Sequence, residues 1–283
     1  MPALEKLVLS HSGNQGGEPT DILPFAPRLT TLCIHGIASI SLREETELPS
    51  LTEFVWNSRY ATLETAWTIL RRAAATLTRV VLAPRSSTMA TAATVATPIL
   101  HLPRIRELTL ASRFPDMTEA LASFAFPGLT TLVLMRNVLA PNILSFLDSL
   151  CGTVTCIDLF LHLDANESAI LSNLCNVTQV GFGCTPNNGV EYRVNDAFFS
   201  QLCECDALRD YSWPKLTSLV FDQCGEFDAS DGGGEGLLRF IRSRTAPNLN
   251  DKSTPRRLQR VALGAKGVPT WLSAEVDRIM CTG

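Results

Sequence analysis

The segment EFDASDGGGEG at residues 226–236 has the most unusual composition in the chain, and the helical pattern LLRFIRS follows it directly. A glycine run that opens a helix can bind a phosphate through its backbone N–H groups. Here no Lys-Ser or Lys-Thr pair follows, and four carboxylates would repel an anion. They belong to Glu226, Asp228, Asp231 and Glu235. Because their spacing does not match an EF-hand calcium loop either, we interpret the segment as a flexible surface insertion.

Other chemistry-bearing patterns are missing from the sequence. The nine cysteines contain no C-x-x-C pair and the four histidines have no H-E-x-x-H spacing, which argues against a zinc site. There is no G-x-S-x-G motif, and Gly181-x-Gly183 is followed by Pro186, where a dinucleotide-binding loop needs glycine. We therefore predict no catalytic residue, no metal ion and no cofactor, and a chain that is not an enzyme.

The composition excludes several classes of protein. The 283 residues are 46% hydrophobic and 18% charged, which excludes an intrinsically disordered chain and allows a sizeable core. No apolar run reaches the length of about 18 residues that a membrane-spanning helix needs. Glu5 and Lys6 interrupt the first apolar stretch, so no secretory signal is predicted. Free thiols in the cytoplasm or nucleus are expected, and Cys151, Cys175 and Cys203 lie in helical patterns as predicted core residues.

Charge is unevenly distributed along the chain. Residues 1–235 carry 15 basic and 25 acidic side chains, whereas residues 236–283 carry 9 basic and 3 acidic ones. The basic set is Arg239, Arg242, Arg244, Lys252, Arg256, Arg257, Arg260, Lys266 and Arg278. A nucleic-acid surface interleaves such charges with aromatic rings, and only Phe240 and Trp271 are available here. We predict a solvated helix face and loop, and no nucleic-acid partner.

A short pattern with apolar residues at its first, fourth and sixth positions recurs ten times. The windows begin at residues 4 (LEKLVL), 29 (LTTLCI), 51 (LTEFVW), 77 (LTRVVL), 105 (IRELTL), 129 (LTTLVL), 154 (VTCIDL), 177 (VTQVGF), 216 (LTSLVF) and 258 (LQRVAL). Threonine fills the second position in seven of them, and proline lies two residues ahead of five. Ten random positions would hold about 0.6 prolines, so the repeat is not an effect of how the windows were chosen.

The alternation inside each window predicts a strand with one buried face, so the third, fifth and seventh positions should point away from the core. Helical patterns lie between windows, at residues 64–77, 116–126, 142–151, 167–175 and 196–203. Asn166 and Asn195 are predicted N-caps, and the prolines are predicted to stop the helices. At the far end, Leu272, Val276 and Ile279 recur at helical spacing, which predicts a capping helix over Thr270–Met280.

One strand and one helix in about 25 residues is typical of a leucine-rich repeat. The window LTTLVLMRNVL matches that family pattern in full. The pattern has Asn or Cys at its ninth position, and among the other nine windows only Cys224 supplies one of these residues. The matching residues are Leu129, Leu132, Leu134, Asn137 and Leu139. The chain thus resembles a leucine-rich-repeat protein, and its (L)P-x-L-T-x-L introductions resemble the repeat region of fungal F-box proteins.

The resemblance implies an α/β solenoid, a horseshoe of about ten irregular repeats with a parallel concave sheet and convex helices. We expect one solenoid over residues 1–283, with regular repeats at 4–184 and longer, insertion-bearing repeats at 185–283. No F-box is expected in this chain, because residue 4 already begins a repeat. The uncapped first repeat suggests that the chain is a piece of a longer gene product.

The function implied by the resemblance is a non-enzymatic protein–protein interaction scaffold. It would be the substrate-recognition region of an F-box ubiquitin-ligase adaptor, with a protein or peptide on the concave face. Ubiquitin-ligase components would be further partners if an F-box lies upstream. The alternative is a solenoid regulator resembling a GTPase activator, or another enzyme-associated regulator. An activator needs an exposed arginine on a rim loop, for which Arg113 and Arg136 are the candidates.

Seven of the ten fifth positions are apolar, although they should face solvent. The strand propensity of valine is one explanation, and a contact surface is the other. Adjacent windows favour the second, because their seventh positions, Met135 and Phe160, are also apolar, and Asp158 beside them could orient a basic group. The predicted protein-binding residues are Val55, Val81, Val133, Met135, Asp158 and Phe160.

Overall fold

The computed structural model is a mixed α/β protein with a large parallel sheet of ten strands and, among the described residues, six helices. It describes residues 3–10, 20–21, 26–36, 40–41, 47–57, 63–83, 99–111, 121, 123–135, 143–183, 193–208, 211–222, 226–229, 233–245 and 255–282. The chain divides into two compact units, residues 1–129 and 130–283, and we describe each by itself. The α/β class and the parallel sheet confirm the corresponding predictions.

The strands are β1 (Lys6–Ser10), β2 (Thr20–Asp21), β3 (Thr31–His35), β4 (Ile40–Ser41), β5 (Glu53–Asn57), β6 (Arg79–Leu82), β7 (Leu100–His101), β8 (Glu107–Leu110), β9 (Phe124–Ala125), β10 (Thr131–Met135), β11 (Cys156–Phe160), β12 (Gln179–Phe182), β13 (Arg193–Asn195), β14 (Ser218–Phe221), β15 (Glu226–Asp228) and β16 (Arg260–Leu263). The helices are α1 (Leu63–Arg72), α2 (Leu144–Leu150), α3 (Ala165–Leu171), α4 (Asp196–Leu208), α5 (Glu235–Thr245) and α6 (Thr270–Thr282).

The large sheet follows the ten sequence windows. Its order is β1-β3-β5-β6-β8 in the first unit and β10-β11-β12-β14-β16 in the second. Each strand begins at the third position of a window, and parallel pairing joins equivalent positions, as in Leu32 with Phe54 and Leu159 with Phe182. The fourth and sixth positions are buried in eight strands and half-buried in β1 and β16. Each fully buried leucine contributes about 1.5–3 kcal/mol.

The recurring threonine at the second position forms a hydrogen-bonded ladder between neighbouring strands. The Thr178 hydroxyl donates to the Thr155 carbonyl at 3.1 Å, and the Thr217 hydroxyl donates to the Thr178 carbonyl at 3.1 Å. The Thr155 carbonyl also accepts the backbone N–H groups of Thr178 and Gln179, at 2.8 and 3.1 Å. One carbonyl thus holds three donors from the next strand, which gives a physical reason for threonine at this position.

The prediction that prolines stop helices is wrong at Pro103 and Pro127, which follow the short strands β7 and β9. Pro27 and Pro127 occupy the second place of a tight turn, in which the first residue of the window donates back across the proline. Leu29 donates to the Ala26 carbonyl at 3.0 Å, and Leu129 donates to the Phe126 carbonyl at 3.1 Å. The fixed φ of proline suits that place in a turn.

The helices confirm most of the predicted pattern, with one correction to the caps. Asn195 caps α4, because its side-chain oxygen accepts the Ala197 N–H at 2.9 Å. Asn166 is not a cap: it lies in the first turn of α3 and donates its N–H to Asp164, the true N-cap, whose backbone N–H bonds Glu167 in return. In the pattern 116–126, Leu121 is helical, residues 124–125 form β9, and residues 112–120 lie outside the described part.

The glycine-rich segment is not a surface insertion where the structure describes it. Residues 226–228 form β15, which pairs with β13, and Phe227 is buried. At the start of α5, the N–H groups of Gly236 and Leu237 both donate to the Asp196 carboxylate at 2.8 Å. Asp196 is only 1% exposed. An internal carboxylate therefore fills the place at the start of α5 where a phosphate would bind.

One arginine of the basic segment lies in the core, which corrects the prediction of a solvated face at that position, whereas the other seven described members of the set are exposed. Arg244 is fully buried in α5, stacks on the rings of Phe240 and Tyr211 with centroid distances of 5.0 and 5.2 Å, and donates to the Ser212 carbonyl at 2.6 Å. Delocalised charge and ready stacking on aromatic faces allow arginine to be buried in this way. The predicted C-terminal helix is confirmed as α6, with its three apolar residues buried.

Candidate binding surface on the parallel sheet

The second unit carries four of the six predicted site residues on neighbouring strands. Pairing of β10 with β11 sets Val133 opposite Asp158 and Met135 opposite Phe160. All four are half-buried, in contrast to the buried leucines that alternate with them. Since neighbouring strands are about 4.8 Å apart, the four side chains form one contiguous surface, which we call the β10–β11 patch.

Two glycines, one in the next strand and one directly after it, shape the β10–β11 patch. A Cβ atom on Gly183 would lie 2.9 Å from Cε1 of Phe160, so the phenyl ring extends over the space that a side chain would fill. A Cβ atom on Gly181, the residue paired with Asp158, would collide with the carboxylate Oδ1. The absence of side chains at these positions lets Phe160 and Asp158 lie across β12.

The other two predicted residues lie in the first unit. Val55 and Val81 are directly opposite each other on β5 and β6, and both are half-buried. Cys33 pairs with Val55 on the other side, and its thiol pKa is raised by burial and then by the nearby Glu53. The sequence pattern therefore yields two groups, one in each unit.

A charged row borders the valine pair. Arg79 lies between Glu53 and Glu107 in the sheet register and donates to both carboxylates, at 2.7 and 2.9 Å. Burial opposes the charge of Arg79, but the hydrogen bonds and charges of Glu107 and Glu53 outweigh it and raise the arginine's pKa. Exposed pairs of this kind contribute about 0–1 kcal/mol to stability, so the row mainly defines the polarity of the surface.

Sequence reasoning missed the part played by Gly181 and Gly183. Their G-x-G spacing is the signal in the sequence that points to this role. The predicted burial of the helical cysteines is wrong, because Cys175 is exposed and Cys151 and Cys203 are half-buried. The remaining candidates lie outside the described residues: Arg113, Arg136, Asn137, Leu139 and Cys224.

No three or more His, Cys, Asp or Glu side chains in the described part of the chain lie together in a way that could hold a metal ion. None of the helices that the structure describes has the length and apolar character needed to cross a membrane.

Comparison with known proteins adds no family to these observations. No protein-family model matches the chain, and no curated protein matches it in sequence.

Proposed function

We propose that the chain is a leucine-rich-repeat solenoid that acts as a non-enzymatic scaffold for protein or peptide binding. The solenoid is supported by ten windows that each supply one strand, and by registers that join equivalent positions. The threonine ladder is a further feature that recurs from strand to strand. In such an array each strand is stabilised by its neighbours, and one face of the sheet remains for a partner.

The observation that carries the binding function is the pairing of Met135 with Phe160 on the solvent side of the sheet. Methionine and phenylalanine are costly to leave accessible to water, and together with Val133 they make an apolar area larger than a single exposed side chain. Aromatic residues and methionine are also enriched at protein interfaces. The β10–β11 patch is therefore the proposed contact site.

The chemistry of the patch defines the partner class. Asp158 places a carboxylate beside the apolar side chains of Val133 and Phe160, so a segment with an apolar anchor next to a lysine or arginine fits it. The partner is a protein or peptide, and by the resemblance the chain would present it to a ubiquitin ligase in the cytoplasm or nucleus. In that role an F-box would lie upstream of these residues.

The test begins with a random peptide library selected on the intact protein. Binding of an enriched peptide is then compared between wild type, Phe160→Ala and Asp158→Asn. We expect Phe160→Ala to weaken binding by at least about 30-fold, the equivalent of about 2 kcal/mol for a central aromatic contact. Asp158→Asn should weaken basic peptides more than neutral ones. The matched control is Gln179→Ala, an exposed change on β12 outside the patch.

Gly183→Ala is a second, independent variant for the same test. The new methyl group must push the Phe160 ring aside, so peptide binding should fall even though Phe160 is still present. Thermal unfolding of each variant separates lost binding from lost folding. Peptides that bind wild type and Phe160→Ala equally well would contradict the proposal, as would a Phe160→Ala variant that loses stability but keeps its affinity.

A further inference from the structure

Two cysteines meet outside the sheet, on consecutive turns of the second unit. Cys151 directly follows α2, and Cys175 lies two residues before the window that contains β12. The Cys175 thiol donates to the Cys151 carbonyl oxygen, with 3.3 Å between sulfur and oxygen. Cys175 is exposed and Cys151 is half-buried, so reagents in solution can reach this pair.

Side-chain hydrogen bonds hold the two turns against each other. The Asn173 amide donates to the Asp148 carboxylate at 3.1 Å, and the Asn176 amide donates to the Gly152 carbonyl at 2.6 Å. These bonds lie on either side of the cysteine contact. The backbone is therefore held on both sides of the thiols, so a link between the sulfurs would join two turns that already contact each other.

The two thiols also interact with each other. Burial raises the pKa of the Cys151 thiol, and its contact with Cys175 and the nearby charge of Asp148 raise it further. Neither cysteine is a member of the β10–β11 patch, so the cysteine pair is a separate site.

We propose that Cys151 and Cys175 form a reversible disulfide, which makes the pair a thiol-oxidation site for small-molecule disulfides such as oxidised glutathione. The exposed Cys175 thiolate attacks one glutathione sulfur, forms a mixed disulfide and releases one glutathione thiolate. Cys151 then gives its proton to solvent, and its thiolate attacks the Cys175 sulfur and displaces the second glutathione. Two protein thiols are oxidised by two electrons, and one glutathione disulfide is reduced to two thiols.

The disulfide would link two consecutive turns. Because the Cys151 pKa is raised, little of that thiol is ionised at neutral pH, and closure is the slower step. Below that pKa the closure rate should rise about tenfold per pH unit, in proportion to the thiolate fraction. The raised pKa places the end of this rise at a higher pH than for a thiol of ordinary acidity, and that difference identifies Cys151 as the attacking group.

The experiment treats the full chain with oxidised glutathione, blocks the remaining thiols and digests the protein with a protease that cuts after acidic residues. Asp158, Asp164 and Glu167 lie between the two cysteines, so the digest separates them into different peptides. Mass spectrometry should find these peptides joined through Cys151 and Cys175, lighter by two hydrogen atoms than the separate peptides and released by a reducing agent. Fragmentation assigns the linked residues, because Cys156 shares a peptide with Cys151 and Cys184 shares one with Cys175.

Cys151→Ser and Cys175→Ser should each abolish this link. Cys281→Ser is the matched control, since Cys281 is also exposed but lies in α6, and it should leave the link unchanged. A stable glutathione adduct on Cys175 without the link would overturn the proposal. So would a link that forms equally with Cys281, or a closure rate that does not change with pH. Circular dichroism checks that both serine variants are folded, and the pH series on wild type tests the site if they are not.

Discussion

At the scale of single residues, one hydroxyl group explains a sequence signature that had no structural meaning on its own. The hydroxyl of Thr52 donates to the Thr30 carbonyl at 3.2 Å, and that of Thr78 donates to the Thr52 carbonyl at 3.1 Å. The same bond is present in the second unit. Valine would fill the same volume and suit the strand, so the donor group accounts for the preference for threonine.

Thr178→Val tests this ladder. It removes the hydroxyl bond to Thr155 while the bond that the Thr178 carbonyl accepts from Thr217 remains. We expect the free energy of unfolding to fall by about 0.5–1.5 kcal/mol, the net value of one hydrogen bond. The midpoint of urea unfolding is the measurement.

Thr131→Val is the matched control for the ladder. Thr131 is half-buried on β10, and no hydrogen bond from its hydroxyl is found in the described part of the chain. Its replacement should change stability by less than about 0.5 kcal/mol. Equal losses in the two variants, or no loss in Thr178→Val, would show that the ladder does not stabilise the sheet.

At the scale of elements, periodicity predicted the strands well because the alternation of apolar residues is local. The features that periodicity did not predict depend on contacts between residues far apart in the sequence. The cap of α5 is Asp196, which lies 40 residues before Gly236 in the sequence, and no local pattern reports such a bond. Gly236 itself leaves no room for a side chain, since a Cβ atom would collide with Ser200 and with the Asp196 backbone.

Asp196→Ala should therefore be among the most harmful single changes in α4. It leaves two buried N–H groups at the start of α5 without their acceptor, and hydrogen bonds to a charged group contribute about 1.5–3 kcal/mol each. We expect a loss of about 3 kcal/mol or more in unfolding free energy. Chemical denaturation measures it.

Glu235→Ala is the control for Asp196→Ala, because Glu235 is exposed and lies in the first turn of α5, the helix that Asp196 caps. It should cost less than about 1 kcal/mol, the range of an exposed charge near a helix N-terminus. A loss for Asp196→Ala as small as that of Glu235→Ala would mean that the carboxylate does not hold α5 in place.

The candidate site was predicted in part for the same reason. Fifth and seventh positions followed from the strand period, so the pairing of Met135 with Phe160 was foreseeable from the window alignment. The room for Phe160 was not foreseeable, because it depends on Gly183, the residue directly after the next strand. The buried Arg244 was also missed, since two of its partners, the Tyr211 ring and the Ser212 carbonyl, come from a distant segment.

At the scale of the whole molecule, stacking of strands on nearest neighbours predicts unfolding that is not a single all-or-none step. Trp56 is buried in the first unit and Trp213 in the second, and each is one of four tryptophans. Variants that retain Trp56 alone or Trp213 alone among the four tryptophans give separate fluorescence reports. We expect their urea midpoints to differ, whereas superimposable transitions would show one cooperative unit.

The central claim is that the β10–β11 patch binds a protein or peptide, and the most direct measurement follows the methyl group of Met135. The chain contains five methionines, so methyl labelling gives few NMR signals, and Met135→Leu assigns one of them. Titration with a selected peptide should shift the Met135 signal with the same Kd as binding measured by calorimetry, and leave the other methionines unmoved. A Met135 signal that stays in place while the peptide saturates the protein would contradict the account.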